Sequence, residues 1–175
     1  PCPFNLRGVK MNPVEDELAY EQKMDEVIKR TEKIVQDIEK LSEETEKNTK
    51  EQNQSKNNEL AENQKNIENK LNSLEEQMKN LQAKMSELSD MPTEEMEKLN
   101  KEFDQQENQE LSKEAMEQLQ EKNPFDALKN QEQLSQNMNS MMDKMQQMQQ
   151  QMQMQNQQMV MQNMLKAIDN IIGLW

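Results

Sequence analysis

The chain has 175 residues and a formal net charge of -13, with hydrophobic residues at 32% and aromatics at 3%. That balance argues against one compact globular core, and its sign repels nucleic acid phosphates and anionic lipid head groups alike. Only two glycines occur, Gly8 and Gly173, so the interior lacks the positive-φ residues of tight hairpins and phosphate loops, and sheet architectures lose their support.

Glu, Lys, Gln, Leu and Met dominate, the residues that lose least rotamer freedom in a helix, while Val, Ile, Tyr and Phe are scarce. Residues 1–13 hold three of the five prolines and form a non-helical lead-in. An amphipathic helix is predicted over 14–45. Tyr20, Met24, Val27, Thr31, Ile34, Ile38, Leu41 and Thr45 alternate steps of four and three, and Ile28 and Val35 widen the stripe. Residues 46–59 are a polar linker or bridge: no apolar residue appears between Ser42 and Glu59, Asn is frequent, and no stable core is expected to pass.

A heptad helix is predicted over 60–89, carried by Leu60, Ile67, Leu71, Leu74, Met78, Leu81, Met85 and Leu88, with Gln64 in one core slot. A period of 3.5 residues predicts left-handed supercoiling against another helix. The run Ser89-Asp90-Met91-Pro92-Thr93 reads as a stop and restart, with Asp90 or Thr93 as cap and Pro92 near the first turn. Weaker amphipathic helices follow over 93–122, with Met96, Leu99 and Phe103, then Leu111, Ala115, Met116 and Leu119. Asn123 and Pro124 repeat the capping chemistry and open a long helix over 124–173, which Gly173 is placed to cap.

That last helix is rich in methionine and glutamine. Leu134, Met138, Met141, Met145, Met148, Met152 and Met159 keep the four-three spacing, and Ile168, Ile171 and Ile172 continue an apolar face with a shift in frame. The reading taken is that these methionines fill core positions, where an unbranched thioether adapts to irregular gaps. Two others stay open: an adaptable surface for varied apolar partners, and soft-metal binding of Cu(I) through Met152 and Met154, or Met159, Met161 and Met164.

Catalysis has little to work with. The chain contains no histidine, which rules out imidazole-based triads and imidazole–zinc sites. The carboxylate runs, such as Glu43, Glu44 and Glu46, fall on regular polar faces, and neither a phosphate loop nor an EF-hand spacing occurs. No cofactor, metal or small-molecule substrate is expected. No stretch approaches the roughly 20 apolar residues of a membrane span, and the start lacks a signal-peptide pattern.

From about Leu41 onward the chain resembles an uncharacterised bacterial family of large, membrane-anchored, Gln- and Met-rich coiled-coil proteins, a domain of unknown function. The strings that carry the resemblance are LSEETEKNTKEQ, LAENQKNIENKLNSLEEQMKNLQAKMSEL, MPTEEMEKL, EAMEQLQEKNPFDALKNQEQLSQNMNSMMDKMQQMQ and MLKAIDNIIGL, in that order. The resemblance implies an internal piece of a larger protein. It places the chain in the bacterial envelope, outside the membrane, attached through an N-terminal anchor not included here. It carries over no activity, ligand or site residue.

The expectation is therefore an all-α, elongated coiled-coil or helical-hairpin bundle of about four helices with polar breaks. It would act as a non-catalytic scaffold, its partners being protein helices, including copies of itself. The alternative is a chaperone-like or adaptor module that binds clients through the methionine face. The helix-packing residues are Ile34, Ile38 and Leu41, then Ile67, Leu71, Leu74, Met78, Leu81, Met85 and Leu88, then Met138, Met141, Met145, Met148, Met152, Ile168 and Ile171.

Overall fold

A computed structural model describes residues 13–87 and 91–172. Among them are five helices and no strand: α1 (Pro13–Glu51), α2 (Gln54–Met85), α3 (Thr93–Gln105), α4 (Asn108–Gln120) and α5 (Pro124–Ile172). The predicted Leu88, the Ser89–Asp90 cap, most of the lead-in and the Gly173 cap lie outside the described residues.

The helices form four legs running up, down, up and down, α3 and α4 together making the third. α1 packs on α2 and α5, α4 packs on the same two, and α3 contributes smaller contacts to both, so α1 and the α3–α4 leg are diagonally opposed. Each leg buries one stripe. Met24, Val27, Ile34, Ile38 and Leu41 come from α1, and Leu60, Ile67, Leu71, Leu74, Met78, Leu81 and Met85 from α2. Met96, Leu99, Phe103, Ala115 and Leu119 come from the third leg, and Leu134, Met138, Met141, Met145, Met148 and Met152 from α5. The heptad stripes are thus consumed within the chain.

The stretch 46–59, the polar linker or bridge, contains the reversal between α1 and α2. α1 continues through it to Glu51, and α2 begins at Gln54. The reversal is built from Asn48, only 1% exposed. Its carbonyl accepts from the Gln52 N–H at 2.8 Å, its Oδ1 accepts from the Asn53 N–H at 3.1 Å, and its Nδ2 donates to Asn57 Oδ1 across the hairpin. Asn53 then caps α2, accepting from the backbone N–H groups of Ser55 and Lys56 at 3.0 and 3.3 Å. Asparagine matches turn donors and acceptors with its own amide, so a polar run closes the end of a bundle that apolar residues do not reach.

Two other junctions use the same device. α3 and α4 are separated by Glu107 in the left-handed region (φ 50), and Asn108 bridges the break, donating from Nδ2 to the Phe103 carbonyl at 3.1 Å and accepting from Asn137 Nδ2 at 3.0 Å. Beyond the end of α4 at Gln120 the chain turns at Lys122 (φ 65), after which the Asp126 N–H donates to Asn123 Oδ1 at 3.4 Å with Pro124 in the first turn. At the start of α3, however, Thr93 does not cap. Pro92 occupies the cap position, and the Thr93 hydroxyl donates to the Met91 carbonyl at 3.3 Å.

A polar layer crosses the core. Gln131 Nε2 donates to Gln64 Oε1 at 2.9 Å, and Gln64 Nε2 donates to Ser112 Oγ at 2.8 Å, all three residues being fully buried. The chain of bonds ties α5 to α2 and α2 to α4 at one height, and slipping any of these three helices by one turn would break it. Gln64→Leu alone is expected to lower stability in urea unfolding by about 2 kcal/mol, because it strands Gln131 and Ser112 in the core. Combining it with Ser112→Ala and Gln131→Leu is expected to recover that loss or exceed it.

Candidate protein-interaction site

α5 is 49 residues long, about 74 Å at 1.5 Å per residue, and outlasts every other leg. Two contacts mark its antiparallel register on α1: the buried Thr31 hydroxyl, which donates to the Val27 carbonyl at 2.9 Å, lies 3.8 Å from the Met145 sulfur, and Asn156 Nδ2 donates to Glu21 Oε2 at 3.4 Å. Its inward row is Gln131, Leu134, Met138, Met141, Met145, Met148 and Met152, all buried, followed by Asn156 and Met159, both half-buried. Continued at the same steps, that row becomes Asn163, Lys166 and Asn170. The core-facing side turns polar where the bundle runs out.

The apolar residues move to the other side. Met161, Leu165, Ile168 and Ile172 fall roughly 160–220° around the helix from Met152, with Met164 and Ile171 at the edge of the same face. Residues 160–172 are all exposed, and the large apolar side chains among them range from 44% at Val160 to 67% at Ile172. Ile168 and Ile171, predicted to pack with the other interface residues, are 48% and 61% exposed and belong to this outer face. The other predicted packing residues within the described chain are buried. Their exposure in the single chain has a geometric cause: the shift in frame after Met152 rotates the apolar stripe away from the core that the methionines line.

Val160, Met161, Met164 and Leu165 were not singled out as packing positions by their spacing, because the four-three count was anchored on Met152 and Met159. Counted backward from Ile168, seven-residue steps reach Met161 and Met154, and the separate stripe becomes visible. Beside its root lies a cleft of about 1040 Å3 between the start of α3 and α5. Met91, Met152, Met154 and Met159 line it, together with Pro92 and glutamines such as Gln155 and Gln158.

No family model, curated relative or solved structure matches the chain.

The electrostatics of the described residues are those of solvated helical faces. The carboxyls of Asp25, Glu46, Glu97 and Asp126 are held below their ordinary values mainly by hydrogen bonds from Lys29, Lys50, Lys101 and Lys129, one helical turn away. Such pairs favour the ionised carboxylate in the fold. Their small stabilisation is present above the ordinary carboxylate pKa and fades as pH falls through the lowered one. Lys23 is pushed down by partial desolvation and by Lys84 beside it. Among the described residues no group of three or more His, Cys, Asp or Glu side chains converges as a metal site. Of the thioethers offered for soft-metal binding, Met152 is buried and Met154 is 57% exposed, and both border the cleft beside α3.

Burial separates the methionines into two chemical classes. Limited peroxide treatment is expected to oxidise Met154, Met161 and Met164 well before Met138, Met141, Met145 and Met148, as read by peptide mass spectrometry, with the helical signal retained until the second group reacts.

Proposed function

We propose that the chain is a non-catalytic helical scaffold that joins other helices, copies of itself included, through the outer face of α5. The observation that carries this reading is the stripe of residues 160–172, left exposed among the described residues, whose other long apolar stripes are buried against one another. A patch of this size on a soluble surface marks an interaction site, and its helical spacing suits a helical partner. Among the described residues no helix is long and apolar enough to cross a membrane. The resemblance to membrane-anchored, Gln- and Met-rich coiled-coil proteins supports placing the scaffold in a bacterial envelope, tethered through another part of its parent protein.

The methionine-lined cleft beside α3 favours a second reading, an adaptor or chaperone-like module that holds short apolar segments of clients. Against it stands the burial of Met138, Met141, Met145 and Met148, which commits most of the methionine face to the core.

Sedimentation equilibrium distinguishes the two. The scaffold is expected to show reversible self-association between micromolar and several hundred micromolar, with a thermal midpoint that rises with concentration. A client-binding module would remain monomeric over that range and would suppress aggregation of an unrelated unfolded protein.

A further inference from the structure

The outer face of α5 repeats every seven residues: Met154, Met161 and Ile168 are seven apart, as are Met164 and Ile171, and Leu165 and Ile172. A 3.5-residue period keeps a seam turned towards a rod rather than a plane, which suits a helix of the same kind. Laid head to tail against itself, the segment sets Met161 opposite Ile171 and Met164 opposite Ile168, so each layer of one copy is completed by the other. That is the self-complementarity a two-fold interface requires.

Charge sets the direction. Between Met154 and Ile172 the only ionisable residues are Lys166 and Asp169, which cancel, so the whole formal charge of -13 lies elsewhere in the chain. A parallel pair would lay two acidic bundles side by side. An antiparallel pair sends them to opposite ends of the overlap, separated by a length of helix of roughly 30 Å, more than three Debye lengths at physiological salt. Lys166, Asn163 and Asn170 lie on the other side of the helix, facing solvent in such a pair.

We propose that residues 160–172 of α5 pair antiparallel with the same residues of a second copy, joining two bundles end to end. The proposal rests on the self-association reading above and adds its site and its geometry.

Spin labels on the full chain, with Cys2→Ser as background, test it by pulsed dipolar spectroscopy. Label pairs at Asn163→Cys are expected within about 30 Å of each other, whereas pairs at Gln146→Cys are expected roughly 60 Å apart along the common axis. Leu165→Glu with Ile168→Glu is expected to leave a monomer whose helical signal is unchanged, since both side chains are already exposed in the single chain. Short distances at both label sites mean a parallel pair and overturn the geometry. Association that survives the double substitution overturns the site while leaving self-association standing. A wild-type chain that stays monomeric overturns both, and if it then takes up phosphatidylcholine vesicles in a manner abolished by the same double substitution, the face belongs to a lipid surface.

Discussion

Four thin rods, each with a single apolar stripe, must spend those stripes on one another. An isolated helix of this composition has no second layer against which to bury Ile34, Leu71 or Met145, and its polar faces are too strongly hydrated to substitute. The up-and-down arrangement solves this within one chain: α1 and α2 close as a hairpin at Asn48 and Asn57, the broken α3–α4 leg returns along α2, and α5 fills the remaining corner against α1 and α4. Exhausting the stripes internally has a second consequence. The Glu- and Lys-rich faces left outside are exposed and carry ion pairs one turn apart.

Polar side chains do in this core what shape complementarity between branched aliphatics does in others. Methionine and leucine at most α5 positions tolerate a slipped register, because flexible side chains repack at little cost. The Gln131–Gln64–Ser112 chain and the Asn108–Asn137 bond do not tolerate it, since a slip would leave buried amides unpaired. The third leg has the fewest large apolar residues facing inward, with Asn100, Asn108 and Ser112 among its buried positions. It is also interrupted at Glu107, so local opening should begin there.

Much of this was legible in the sequence. The stripes of α1, α2 and the first half of α5 follow from spacing alone, since burial selects apolar residues every three and four positions. The restart near Pro92 and the cap at Asn123 follow from proline and asparagine chemistry. What spacing did not disclose was polar burial. Asn48, Asn57, Asn108 and Gln131 look like solvated residues until a hairpin or a neighbouring leg supplies their partners, and Gln64 alone was visible because it interrupted an otherwise regular heptad. At the far end of α5 the shift in frame was visible, yet its meaning required knowing how far the neighbouring legs reach, which a single stripe does not encode.

The bundle and the outer face of α5 therefore differ in what protects them: intramolecular packing for one, a partner for the other. Hydrogen–deuterium exchange of the full chain, followed by mass spectrometry at low and high protein concentration, reads that difference directly. Strong, concentration-independent protection of the amides of α1, α2 and the first half of α5 is expected, with residues 160–172 exchanging fast when dilute and slowly when concentrated. Weak protection of α2 in dilute solution that appears only on concentrating would show that the stripes are shared between chains, and would contradict the account.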